Sequence, residues 1–197
     1  MRSFFVGMIL TVVTAIPAGA AQIVVNGDFE TGFLAPWVNA AHFCGNGCDD
    51  WITTSSTSHS GTFSAFTDDN IEIFQAVTPT LTSDITAASY WIKQPDGGGV
   101  SFFRFFYSDA TTSSNTPSIG TDWTFINQLG LLTPGKTLVG LGLFGVTNGQ
   151  TPGLRTFLDD VSIETRVAAV PEPGSLLLIG SGFVALVARR KQSANRR

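Results

Sequence analysis

Between residue 63 and residue 164 the chain is a succession of short segments in which apolar and polar positions alternate. They are separated by clusters of Gly, Pro, Asn, Asp and Ser. Period-two alternation rich in Phe, Ile, Val and Thr predicts half-buried strands. The pattern predicts strands over Gln22–Val25, Phe63–Thr67, Ile71–Val77, Ile85–Gln94, Val100–Ser108, Trp123–Gln128, Thr137–Val146 and Thr156–Glu164. No segment carries an amphipathic helical period. Strands in this number with no helical crossovers point to an all-β fold, an antiparallel β-sandwich of the jelly-roll kind.

Two strands say more about their surroundings. In VSFFRFFYS, Phe103, Phe105 and Tyr107 share one face while Phe102, Arg104 and Phe106 share the other. Aromatic residues on both faces place this strand centrally, with the second face covered or binding something. In TLVGLGLFGV, Val139, Leu141 and Leu143 form the predicted core face, and Gly140 and Gly142 flatten the opposite one. Glycine there either admits a close-approaching ligand or backbone, or serves sheet curvature. The stretches 108–120 and 147–152 read as exposed loops.

The two ends break the pattern. MRSFFVGMILTVVTAIPAGA has a basic Arg2, an apolar run of 13 residues from Phe4 to Ile16, and small residues Ala18 and Ala20. This is the layout of a secretory signal peptide, with cleavage expected after Ala20. The second apolar run, Gly174–Ala188, is followed by Arg189, Arg190 and Lys191. At about 1.5 Å per residue it spans roughly 22 Å, a short transmembrane helix with its basic end on the cytoplasmic side. The expected organisation is a signal peptide (1–20), a β-sandwich domain (21–165), a linker (166–173), a membrane helix (174–188) and a basic cytoplasmic tail (189–197).

Pro171-Glu172-Pro173, the short apolar helix and the Arg-rich end with Arg189 and Arg190 together resemble the PEP-CTERM sorting signal. That resemblance implies an exosortase-type processing enzyme as partner and removal of the tail during export. The protein would hold to the inner membrane transiently, then pass to the cell surface, outer membrane or extracellular matrix.

Setting the ends aside changes the charge. Residues 21–169 hold five basic and 14 acidic side chains, a net of −9. Nucleic-acid binding needs clustered Lys and Arg and is excluded. The two cysteines, Cys44 and Cys48 of CGNGC, fit a local disulfide in an exported protein, with a metal pair as the alternative.

VVNGDFETG near the start, HSGTFSAF, IFQAVTPTL and SYWIKQ in the middle, and TFLDDVSIE at the end resemble, in this order, carbohydrate-binding modules and their galactose-binding-like jelly-roll relatives. The resemblance implies a structural calcium held by the Glu30 side chain, the Asp28 carbonyl and the Asp159 carboxylate. Strict alternation puts Asp159 on the inward face with Val161 and Ile163, where a carboxylate needs a cation or several hydrogen bonds. The alternative is that Asp28 and Asp159 satisfy turn amides. Asp68, Asp69 and Glu72 form a second acidic group, a calcium site or a solvated loop. Sugar binding in such modules uses aromatic platforms. Trp37 and Trp51, in the irregular segment, are the candidates, while Trp91 and Trp123, within strand patterns, read as core.

Neither His42 nor His59 sits in a metal-protease pattern, and residues 21–169 contain no G-x-S-x-G. Adjacent carboxylates on a strand face opposite sides, which suits neither glycosidase geometry. The expected function is therefore a non-catalytic exported surface or matrix protein, calcium-stabilised and polysaccharide-binding. A lectin-like module with one defined glycan and a secreted glycan hydrolase are the alternatives.

Overall fold

Among the described residues, eleven strands form two sheets. A computed structural model describes residues 20–42, 49–97, 99–145 and 154–166. The strands are β1 (Ala20–Gln22), β2 (Val38–His42), β3 (Ile52–Thr54), β4 (Ser64–Thr67), β5 (Ile71–Leu81), β6 (Ile85–Lys93), β7 (Phe102–Tyr107), β8 (Thr112–Asn115), β9 (Thr124–Asn127), β10 (Thr137–Phe144) and β11 (Thr156–Arg166). One sheet runs β3-β4-β11-β6-β9, with β1 also paired to β11; the other runs β2-β5-β10-β7-β8. Every pairing is antiparallel. The architecture is an all-β sandwich of two antiparallel sheets.

The alternation explains the core. Phe103, Phe105 and Tyr107 of β7, Leu138, Leu141 and Leu143 of β10, and Ile71, Ile73 and Val77 of β5 project from one sheet. Ala88, Tyr90 and Ile92 of β6 and Leu158, Val161 and Ile163 of β11 meet them from the other. Tyr90 stacks on Phe103 across the sandwich, ring centroids 4.9 Å apart. Burial pushes the Tyr90 phenol well above its ordinary range, and its oxygen accepts a hydrogen bond from Gln128 Nε2. Val139, expected among the core residues, is displaced by a bulge between Leu138 and Gly140, which lets Leu138 take the inward position.

Three strands have no counterpart in the sequence pattern. β3 (ITT) and β8 (TSSN) are short edge strands with little apolar content, and β2 (VNAAH) lies in the irregular region before the alternation begins. The first strand is Ala20–Gln22 rather than Gln22–Val25, set by Gln22, whose side chain accepts from Ile163 N (2.8 Å) and donates to Ser162 Oγ (2.7 Å). The expected cleavage point after Ala20 falls inside this strand. The Cys44–Cys48 disulfide, the signal peptide, and the sorting segment with its helix and tail lie outside the described residues. Among the described residues no helix is long and apolar enough to cross a membrane.

Candidate functional site: the outer face of the five-stranded sheet

The residues of β5, β7 and β10 that point away from the core assemble an aromatic surface around one charged pair. In register, Gly142 of β10 stands opposite Arg104 of β7 and Phe74 of β5; Phe144 stands opposite Phe102 and Glu72; Gly140 stands opposite Phe106 and Ala76. The Arg104 guanidinium carbon lies 5.0 Å from the Phe102 ring centroid, 5.3 Å from Phe144 and 5.6 Å from Phe106. Phe74 and Phe106 meet edge to face at 5.2 Å. Aromatic quadrupoles hold the cation without neutralising it.

The two glycines have a definite task. A Cβ at Gly140 would stand 2.6 Å from the Phe74 ring, and one at Gly142 would stand 2.4 Å from Glu72 Oε1. Their bare backbone lets the Phe74 and Glu72 side chains of β5 lie across β10 toward Phe106 and Arg104. Neither of the two readings the sequence left open describes this: the glycines admit neighbouring side chains.

Glu72 is only 5% exposed, and Glu72 Oε1 and Arg104 Nε are buried with no hydrogen-bond partner among the described residues. Arg104 takes no part in the ion pairs His59–Asp160, Lys93–Asp122, Lys136–Asp109 and Arg155–Asp96. Burial raises the Glu72 pKa above its ordinary value of 4.5, and the Arg104 charge offsets part of that rise. A carboxyl whose pKa is raised by folding binds more protons in the native state than in the unfolded one. Stability is therefore lost as pH rises through the window that begins near 4.5. Glu72→Gln should remove this loss: melting temperatures of the two proteins should converge at acid pH, and the variant should be the more stable at neutral pH. A wild-type advantage at neutral pH would show that Glu72 is instead fully compensated.

The aromatic residues singled out as platforms lie elsewhere. Trp37 is 3% exposed and donates its indole N–H to Asn26 O; Trp51 is 1% exposed and donates to Ile71 O at 2.8 Å. Both are core residues, so neither can stack on a sugar. No strand period signals the burial of these two residues. Trp91, read as core, is on the outer face of the six-stranded sheet. There it stacks on His59 (3.7 Å, 14°) and leans on Phe125 (5.4 Å), which is 51% exposed. Trp123, also read as core, meets His59 edge-on at 5.8 Å and is only partly buried. The signal was present: Trp91 shares alternation with Ser89 and Lys93, opposite Ala88, Tyr90 and Ile92.

The acidic residues near the chain ends also gather, though not as alternation predicted. A bulge between Asp159 and Ser162, with Asp160 at φ 47°, breaks the parity of β11. Asp159 pairs with Trp91 and so lies on the outer face, while Val161 and Ile163 stay inward. It is nevertheless fully buried, because the segment carrying His59 closes over it. Asp159 Oδ2 accepts from His59 N (2.8 Å) and Ser60 N (3.2 Å), and Oδ1 from Asp160 N (2.8 Å). Desolvation pushes its pKa up to about 6 against these three donors, and the neighbouring Asp160 charge adds to the rise.

Glu30 binds the same segment from the other side, accepting from Thr62 N and Phe63 N at 2.7 Å each. Asp28 Oδ1 accepts from Glu30 N at 3.4 Å. Glu30 and Asp159 thus clasp one loop on either side of Gly61. Among the described residues, the three acidic side chains whose oxygens lie within 4.8 Å of one another are Asp49, Asp68 and Asp69. Glu72, grouped with Asp68 and Asp69 in the sequence, belongs to the aromatic face. Ser60 Oγ donates to Asp160 Oδ1, the carboxylate that also holds His59 Nδ1 at 2.6 Å. The hydroxyl is therefore not directed at the imidazole.

Comparison with known proteins adds the address. Residues 169–191 match the PEP-CTERM protein-sorting motif. This chain carries a PEP-CTERM sorting signal. A PEP-CTERM protein is exported by way of the membrane. No curated protein matches this one in sequence. Its fold is similar to that of family 16 carbohydrate-binding module 2 (15% identity, covering 72% of this chain and 98% of that one, TM-score 0.52). It is similar also to the CBM22-1 xylan-binding domain of Xyn10C from Paenibacillus barcinonensis (14%, 79% and 100%, 0.51). A third likeness is to TmCBM61, solved in complex with β-1,4-galactotriose (16%, 75% and 99%, 0.50). At these identities the likeness establishes the fold.

Proposed function

We propose that this PEP-CTERM protein is a non-catalytic polysaccharide-binding module, delivered to the cell surface or its surrounding matrix, that holds its ligand on the outer face of the five-stranded sheet. The observation that carries this reading is Arg104 framed by three phenylalanine rings beside a buried Glu72. Phe144 is buried, but the partly exposed Phe102 and Phe106 rings can stack on the C–H face of a pyranose, and a guanidinium and a carboxylate supply the donors and acceptors that orient it. The sandwich's likeness to modules described as xylan-binding and galactotriose-bound supports the same class of ligand.

The full chain, purified in mild detergent, should retard on affinity gels containing β-1,4-galactan or xylan, with Phe106→Ala weakening binding by about tenfold, some 1.4 kcal/mol. If Trp91→Ala weakens binding while Phe106→Ala does not, the His59–Trp91–Phe125 surface of the other sheet is the site instead.

Two further parts belong to this proposal. Glu30, the Asp28 carbonyl and Asp159 would hold a structural calcium ion, which fixes the loop over the six-stranded sheet. The sorting signal, with Pro171, Glu172, Pro173, Arg189 and Arg190, is read by an exosortase-type enzyme that removes the tail. Deleting residues 170–197 should then redirect the protein to another cell fraction, and in cells the intact protein should migrate at the mass of a chain lacking that segment. Identical partitioning of intact and deleted forms, with the uncut mass retained, would refute processing.

A further inference from the structure

Resting on the reading of this face as a glycan site, we infer that Arg104 and Glu72 act as one element that reads an uncharged hydroxyl, so that the ligand is a neutral polysaccharide and chains bearing uronate carboxylates are rejected. The pair is placed by the sheet. Glu72 lies over Gly142, whose register partner is Arg104, so the two opposite charges are drawn to the same strand position. Among the described residues no group completes them: Arg104 Nε and Glu72 Oε1 are buried and unpartnered. Arg104 itself is partly exposed, as are Phe74, Phe102 and Phe106 around it, while Glu72 is buried.

The chemistry of what fits follows from that donor and acceptor set. A sugar hydroxyl can accept from the guanidinium and donate to the carboxylate at once. A ligand carboxylate can only accept. It would satisfy Arg104 but leave Glu72 without a donor, and would bring a second anion into a patch walled by Phe74, Phe102, Phe106 and Phe144, where desolvation magnifies repulsion. The net acidity of the domain adds a weaker, screened repulsion of the same sign.

The test compares wild type, Arg104→Lys, Arg104→Met and Glu72→Gln as full chains in detergent. The probes are β-1,4-galactan and xylan on the neutral side and polygalacturonate and alginate on the charged side, with each variant's melting curve recorded. Wild type should bind at least one neutral probe at least about tenfold tighter than either uronate probe, and Arg104→Met should lose that binding. Glu72→Gln removes the anion and keeps an acceptor, so the neutral-to-uronate ratio should fall by about tenfold or more, uronate binding being gained. Should Arg104→Met fail to fold, Arg104→Lys, which keeps charge but loses the planar donor fork, must still weaken neutral binding. A wild type that prefers uronates, or a Glu72→Gln protein with unchanged selectivity, overturns this inference and leaves the glycan reading standing. Binding of none of the four probes by a folded wild type overturns the glycan reading itself.

Discussion

Trp51→Ala should destabilise this domain strongly rather than remove a recognition surface. The indole is buried against the core, its N–H bonds Ile71 O, and the Trp51 backbone is tied to Asn39 by N–H to Oδ1 (2.9 Å) and Nδ2 to carbonyl (3.3 Å). Ile71 O keeps a second donor, Gly145 N at 3.0 Å, so losing the indole N–H does not leave that carbonyl unpaired. The dominant effect is the cavity, and aromatic-to-alanine changes in a core cost about 3–5 kcal/mol. In a domain of this size that lowers the melting temperature by about 10 °C. Thermal melts of wild type, Trp51→Ala and Trp91→Ala check it, the only partly buried Trp91 giving the smaller shift. Melting within about 2 °C of wild type for Trp51→Ala, together with lost glycan binding, would return Trp51 to the surface role its sequence context implied.

Asp159→Ala should produce the second large effect, and it separates two roles of one carboxylate. Removing the side chain leaves the N–H groups of His59, Ser60 and Asp160 without their acceptor inside the fold. An unsatisfied buried donor costs about 1–3 kcal/mol, so the loss should exceed that of a single hydrogen bond. If calcium is held at Glu30 and Asp159, the wild-type melting temperature rises with added calcium and falls with a chelator, and Asp159→Ala abolishes that response. A response that survives in Asp159→Ala removes the proposed calcium site but leaves the loop clasp. A wild type indifferent to both calcium and chelator assigns Asp159 wholly to its three amides.

How much of this was legible beforehand differs from residue to residue. β7 could be read completely, because a regular strand has one parity: Phe103, Phe105 and Tyr107 went inward and Phe102, Arg104 and Phe106 outward, as the alternation required. The same parity places Glu72 and Phe74 outward, in alternation with the inward Ile71 and Ile73. The acidic neighbours Asp68 and Asp69 obscured it by suggesting a charged loop. Asp159 could not be read, because one left-handed residue, Asp160, resets the parity of everything before it. Trp37 and Trp51 lie where no period exists, so their burial depends on contacts with distant strands.

The chain alone therefore determined what is local or compositional. Period-two alternation dictates an antiparallel sandwich because side chains must segregate by face. The Pro-Glu-Pro, apolar and basic succession spells the sorting signal, because a signal read as a linear segment needs no fold to be recognised. Tertiary structure decided everything that depends on which strands are neighbours. Only the order β5-β10-β7 brings Glu72 to Arg104, only Gly142 between them gives room for it, and only the bulge in β11 turns Asp159 outward beneath the His59 loop. Partners separated by tens of residues meet through strand order and register, and neither is written in any single segment of the chain.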